Sequence, residues 1–453
     1  MNKKIVLCLA VFLLLSMVIS FYAMAEDQAF LDWCKSIKDK FDGTTINIAA
    51  HTHPSIDAFR EMTPEFTKLT GINVRWDTMN ELMLRDKEMM EFASHTGVYD
   101  VVMVDCVWMG EFATKGIIIN LDKYIQDPNS TPAWYDYEGI IPAYREGLAK
   151  WDGKTYALVT AGQTNLLGYR KDLFEKYGID PASITSYDKF MELCKFFNGK
   201  EPGLYGNAFR GQRGHNVLVT WFTYLYPFGG RLFDEEGKWN VVINSEDAIK
   251  SLEYLIQLSK YSPPGFENYN SEEQCAAVAR GDVALALDVS ACPPYYEPEG
   301  SMARGKMGYL PPPAGPKGDF AANAGWLAGI SSDSKKQDAA WAFMIYMTSP
   351  QKVKDFLAVG GDINRTATFS DSEVLASKPY AKPTLEALGK AYNLIKAGVP
   401  HWRPPIPEWS KIGEILGYEV NSALIGEKSA KDALDKAAAD ITALMKEKGY
   451  YNK

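Results

Sequence analysis

The chain has 453 residues, of which 23% are charged and 46% hydrophobic, with 36 glycines and 24 prolines. That balance suits two or three globular domains and excludes collagen-like, coiled-coil, disulfide-scaffold and multi-span membrane proteins. A formal net charge of −9 without a basic stripe argues against a nucleic-acid partner, whose phosphates would be repelled.

Residues 1–25 read as an export signal. Lys3 and Lys4 make a positive start, Ile5 to Phe21 is an apolar run, and Ala23-Met24-Ala25 supplies small residues before Glu26. The alternative is a single membrane anchor, since the run is nearly long enough to span; the Ala-x-Ala site favours cleavage. Cys8 lies early in the run behind Leu7 and does not suit lipid attachment. The remaining cysteines are Cys34, Cys106, Cys194, Cys275 and Cys292, an odd number with no C-x-x-C pair. Buried thiols are the expectation, and Cys275 with Cys292 is the pair to test for a disulfide.

Strand and helix signals then alternate. Thr45 to Ala50 is a strand, followed by the loop His51-Thr52-His53-Pro54. Ser55 is placed to cap a helix with Ile56, Phe59, Phe66 and Leu69 on one side, closed by Gly71. Ile72 to Asp77 is the next strand, residues 80–94 a helix, and Tyr99 to Asp105 a third strand. Such β-α-β order predicts a mainly parallel sheet flanked by helices. Farther on, Tyr156 to Thr160, Leu166 to Tyr169, Val283 to Leu287 and Trp326 to Ile330 read as strands. Lys171 to Tyr177 is a helix, and Ser245 caps another. Pro311 to Asp319 is a polar loop, and a helix runs from Gln337 to Met347. The tail helix is capped by Ser429, with Asp432 three residues on, and ends at Gly449. No flexible Gly/Ser linker separates the parts, which suggests lobes joined by short crossings.

The familiar catalytic and nucleotide-binding patterns are absent from the chain. Ligands of parallel sheets bind beyond the carboxyl ends of strands. His51, His53, Asp105 and Trp108 stand there, and such polar and aromatic side chains suit a sugar, whose hydroxyls need fixed partners and whose C–H faces stack on rings. His51, His53 and Asp105 would also begin a metal site, although further ligands are lacking. A hidden carboxylate pair would make a glycosidase. These alternatives stay open on the residues alone.

Several segments, in order, resemble one family. Phe66 to Val74 (FTKLTGINV), Gly97 to Val102 (GVYDVV), Leu121 to Ile125 (LDKYI), Gly153 to Leu158 (GKTYAL) and Leu167 to Asp180 (LGYRKDLFEKYGID) are similar to segments of the family 1 extracellular solute-binding proteins, carbohydrate receptors of ABC importers. Gly281 to Ala284, Trp326 to Ala340 and Met347 to Pro350 continue the likeness. The resemblance implies an α/β, two-lobed periplasmic-binding-protein fold, each lobe a mainly parallel sheet flanked by helices. Lobe 1 would hold 26–160 and 325–362, and lobe 2 would hold 163–322 and 366–453. Hinges would fall near 161–163, 321–324 and 361–365.

The resemblance further implies an exported, periplasmic monomer that is no enzyme and needs no cofactor or metal. Its partners would be a small carbohydrate ligand and ABC permease transmembrane subunits. Arg403 to Trp409 and Phe209 to Gly214 resemble cleft-reaching segments of polyol and small-sugar receptors, which favours a monosaccharide or sugar alcohol. An oligosaccharide or a sugar acid is the alternative ligand, and a sensor role is not separable from transport. The implied contacts are Trp326 and Trp409 as platforms or packing, Asp105, Asp288 and Gln163 toward hydroxyls, and Arg210 and Arg365 as forked donors. His51, His53, Trp108 and Asp362 complete the expected site.

Overall fold

Among the described residues of this computed structural model, 25–234, 239–396 and 402–451, eleven strands form three sheets. They are β1 (Thr45–His51), β2 (Asn73–Met79), β3 (Val101–Asp105), β4 (Lys150–Trp151), β5 (Lys154–Thr155), β6 (Ala157–Gln163), β7 (Asn165–Arg170), β8 (Tyr205–Asn207), β9 (Val283–Val289), β10 (Met307–Leu310) and β11 (Ala324–Ile330). The five-stranded sheet runs β2-β1-β3-β11-β6 and the four-stranded sheet β10-β7-β9-β8, with β4-β5 a small hairpin. Apart from Ala25, the segment read as an export signal lies outside the described residues. No described helix is long and apolar enough to cross a membrane.

Each sheet carries one reversed strand. β1 pairs in parallel with β2 and β3, whereas β11 is antiparallel to both β3 and β6. In the second sheet β8 and β9 are parallel, while β7 is antiparallel to β9 and β10. The reversal follows from connectivity. The chain leaves the first sheet at the end of β6 and enters the second at once as β7; it returns as β11 after β10. A strand that starts at the edge where its neighbours finish must run against them.

The crossings are stitched together. The Thr164 hydroxyl donates to the Ala322 carbonyl at 2.7 Å, and the Ala322 N–H donates to Asn165 Oδ1 at 2.9 Å. A third segment, Gly361 to Arg365, lies along β6: the Gly162 N–H donates to Asn364 Oδ1, and Asn364 Nδ2 donates to the Thr160 carbonyl, both at 2.9 Å. One side chain thus supplies the ladder bonds that a neighbouring strand would give.

Helix Pro54–Thr70 is capped by His53, not Ser55. Pro54 takes the first helical position, where a missing N–H costs nothing, so the cap moves one residue upstream. His53 Nδ1 accepts from the Ser55 N–H at 3.1 Å, and Gly71 closes the helix at φ 69°. The Ser55 hydroxyl instead donates to Asp362 at 2.8 Å, tying this loop to the third crossing. Ser245 and Ser429 cap their helices by accepting from the N–H three residues on. The apolar core is continuous through both sheets; Trp221, Tyr135, Tyr144, Phe59, Phe66 and Phe190 are among its large, fully buried side chains.

Candidate ligand-binding site

The carboxyl ends of β1, β3 and β6, the start of β11 and the end of β9 meet around a cavity of about 360 Å³. It lies between the two sheets. His51 and His53 come from the β1 end, Asp105 from β3, Gln163 from β6, Trp326 from β11 and Arg210 from the loop after β8; all six line it. Elements carrying Asn80, Glu81, His215, Trp402 and Arg403 complete the wall.

The other expected residues lie outside. Trp108 is buried and packs edge-on against Trp326, with ring centroids 5.3 Å apart. Asp288 sits behind Arg210 and accepts its Nε and Nη2 at 2.9 and 2.6 Å. Asp362 holds Ser55; burial pushes its carboxyl up to about 6. Arg365 is spent on structure, donating to the carbonyls of Thr348, Asp136 and Tyr135 at 2.8 Å each. Trp409 opens helix Trp409–Leu424 and packs on Phe222 at 5.9 Å. Trp402 takes the place on the cavity that Trp409 was expected to hold.

Trp326 does not offer two free faces. His51 stacks on its indole at a centroid distance of 3.5 Å and 17°. His51 is 3% exposed, and neither of its ring nitrogens has a hydrogen-bond partner. Burial, then His53, holds its pKa well below the ordinary value; burial lowers His53 to about 4. Both imidazoles are therefore neutral near pH 7. Since His53 Nδ1 accepts from Ser55, its Nε2 carries the proton. The Gln163 amide nitrogen stands 3.3 Å from that Nε2; two donors cannot face each other, so the amide is assigned the other way round, with its oxygen accepting from His53.

Opposite lies a charged group that sequence reading did not assemble. Arg403 Nη1 is 3.0 Å from His215 Nδ1, and Nη2 is 3.7 Å from Asp105. Glu81, Asp105 and His215 bring potential ligand atoms within 4.8 Å of one another. The guanidinium already takes a cation's role beside two of the three, which disfavours a metal there. The metal set of His51, His53 and Asp105 fares no better: His51 is stacked on Trp326 and His53 caps a helix. Burial, then the Asp105 carboxylate, pushes Glu81 up to about 7 against the pull of Arg403 and Arg210. It is thus poised to donate as an acid or accept as an anion.

Four buried polar atoms on this wall lack any protein partner: His51 Nδ1 and Nε2, Trp402 Nε1 and Arg403 Nε. Buried polar atoms are ordinarily paired, so this wall is the candidate place for a polar ligand. A larger cavity of about 590 Å³ lies beyond the same segment, lined by Trp151, Tyr226, Phe233, Trp239, Pro404 and Pro405. Among its described residues no buried polar atom is left unpaired, so the smaller cavity is the candidate.

Glu81 and Asn80 were discoverable, because they follow β2 as His53 follows β1. Arg403 opens the segment that was expected to reach the cleft, and Trp402 carried a weaker signal, next to that segment.

Residues 50–354 match the sequence profile of bacterial extracellular solute-binding proteins. An erythritol/L-threitol-binding protein of Mycolicibacterium smegmatis is 27% identical over 75% of this chain and 72% of its own. A mannitol-binding protein of Pseudomonas aeruginosa is 26% identical over 84% of this chain and 88% of its own. A solute-binding protein of Agrobacterium radiobacter, solved with ribitol, superposes at a TM-score of 0.80 with 27% identity, covering 89% of this chain and 99% of that one.

Proposed function

This chain belongs to the bacterial extracellular solute-binding proteins, and from that premise we propose that it captures an uncharged sugar alcohol or monosaccharide in the cavity between its sheets. It delivers the ligand to the transmembrane subunits of an ABC importer as an exported monomer. The observation that carries the reading is the set of buried, unpartnered polar atoms of His51, Trp402 and Arg403. Hydroxyl groups, each both donor and acceptor, can satisfy all of them. The relatives named above for erythritol, threitol and mannitol, and the ribitol complex, support the same ligand class.

Charge bookkeeping favours a neutral ligand over a sugar acid. The two cations lining the cavity are Arg210 and Arg403. Arg210 is forked onto Asp288 and Arg403 lies beside Asp105. The imidazoles of His51, His53 and His215 are held neutral, chiefly by burial. Among the described residues no unpaired positive charge is left for a carboxylate to meet, so an acid would bring a charge into the site uncompensated.

The lobes follow the sheets. Lobe 1 comprises 26–160 and 325–362 and lobe 2 comprises 163–322 and 366–453, with hinges near 161–163, 321–324 and 361–365. Closure over the ligand would present one shape to the membrane partner. Family members bind rather than convert their ligands, and nothing in the proposed role requires bond chemistry.

The test is thermal unfolding and calorimetry of the protein with erythritol, ribitol, mannitol, glucose, a hexuronic acid and zinc. A cognate polyol at a hundred times its Kd adds about 2.7 kcal/mol of stability and is recovered unchanged. A response to the acid or to zinc alone, or consumption of the sugar, overturns the reading.

A further inference from the structure

Two thiols meet in the wall of the cavity. Cys275 lies in helix Ser271–Ala279, and Cys292 lies in the turn between β9 and the short helix Pro293–Tyr296. Each is 2% exposed. Both are free thiols in this structure, and both reach Gln274 Oε1, at 3.4 Å from Cys275 and 3.9 Å from Cys292. The other three cysteines have different surroundings. Cys106 follows β3 beside Asp105 and Arg403, Cys194 is inside helix Tyr187–Phe197, and Cys34 is near Lys352 and Glu65.

We propose that Cys275 and Cys292 are joined by an intramolecular disulfide when the chain matures in an oxidising compartment. The elements on which they stand already pack together: the thiols sit one on each side of the contact between helix Ser271–Ala279 and the turn after β9. Cys292 is the member that lines the cavity, with Arg210 Nη2 at 3.9 Å from its sulfur, and in the proposed exchange it reacts first. Its thiolate attacks a disulfide R–S–S–R, forming a mixed disulfide and releasing R–S⁻, which takes up a proton. The Cys275 thiolate then attacks the Cys292 sulfur and releases the second R–S⁻, likewise protonated. Two protein thiols lose two electrons and two protons, and the reagent leaves as two thiols.

In the folded chain the neighbouring Cys275 thiol, then burial, holds the Cys292 thiol well above the ordinary range. The bond therefore forms while the chain folds, before the wall closes. Once made, it ties the start of the helix, with Asn270, Ser271 and Glu272, to the turn that carries Ala291 and Tyr295. These five residues all line the cavity, so the crosslink pins one side of the ligand site.

The test is thiol counting on the chain from Glu26 onward, which holds five cysteines, both exported and refolded from the reduced state with oxidised glutathione. After denaturation without reductant, alkylation should label Cys34, Cys106 and Cys194 and miss Cys275 and Cys292. A proteolytic map should contain one linked pair of peptides that separates on reduction. In Cys275→Ser, Cys292 should become alkylatable with no new pair formed. Labelling of all five thiols in the exported and refolded wild-type chain, or a linked pair with a different partner, overturns the proposal. The wild-type map decides the matter even where the variant fails to fold.

Discussion

Protonating His53 would break one contact and add a buried charge. Its Nδ1 would no longer accept from the Ser55 N–H, uncapping helix Pro54–Thr70, and a charge would sit beside neutral His51. That cost accords with the lowering of its pKa to about 4 by burial. The direction for stability follows. Between pH 6.5 and about 4 the unfolded chain binds a proton at this position and the folded chain does not, so stability is complete above 6.5 and is lost as the pH falls through the window. His53→Asn keeps a strong capping acceptor and does not titrate. Relative to wild type, it should keep about 3 kcal/mol more of its stability on going from pH 7 to pH 4, read from denaturant unfolding at each pH. Parallel curves for the two proteins would remove His53 from the acid response. The same residue marks how far sequence reading reached. Its position after a strand end was legible, but its partners were not, because the Ser55 and Gln163 contacts depend on where Pro54 shifts the cap and where β6 ends. Trp402 and Trp409 teach the same lesson: both are tryptophans beside a Pro-rich segment, and only packing decides which one faces the cavity.

The elements were easier to read than their directions. Periodicity and caps marked β1 and the helix closed by Gly71, since each carries its own local signal. Helix His215–Leu225 was not marked. Nine of its residues are buried, so it lacks the polar face that gives an amphipathic period. Short β8 and β10 have too few residues to alternate. The reversal of β7 and β11 was hidden because it arises from the crossings. Those crossings rest on Asn364, whose side chain satisfies the Gly162 N–H and the Thr160 carbonyl at the edge of β6. Asn364→Ala leaves both backbone groups unpaired and should cost about 2–4 kcal/mol in denaturant unfolding. Asn364→Asp keeps an acceptor for Gly162 but has no donor for Thr160, and meets the carbonyl with a carboxylate. It should not rescue. If the alanine variant is as stable as wild type, the third crossing is not held by this side chain.

At the scale of the whole molecule, what matters is how closely the two lobes approach. Gly110, in helix Met109–Lys115 of proposed lobe 1, sits against the segment that follows Arg403. A Cβ placed on it would lie 1.8 Å from the Pro405 carbonyl oxygen and 2.9 Å from the Trp151 ring. The indole can turn aside, but the backbone carbonyl cannot without moving the segment that carries Trp402 and Arg403 to the ligand. Gly110→Ala therefore acts as a wedge between Pro405 of proposed lobe 2 and lobe 1. Within lobe 1 the change is favourable, because alanine is a better helix former than glycine by about 1 kcal/mol. The two effects separate in measurement. The ligand-free protein should be as stable as wild type or slightly more so, while polyol affinity falls at least tenfold, equivalent to about 1.4 kcal/mol. Small-angle scattering should detect a smaller ligand-induced contraction than in wild type. A variant that loses stability without ligand would mean that Pro405 and Gly110 belong to one rigid body, and the division into lobes at 361–365 would then have to be redrawn. Unchanged affinity would mean that the segment yields freely, and that the cavity is built by lobe 2 with little help from closure.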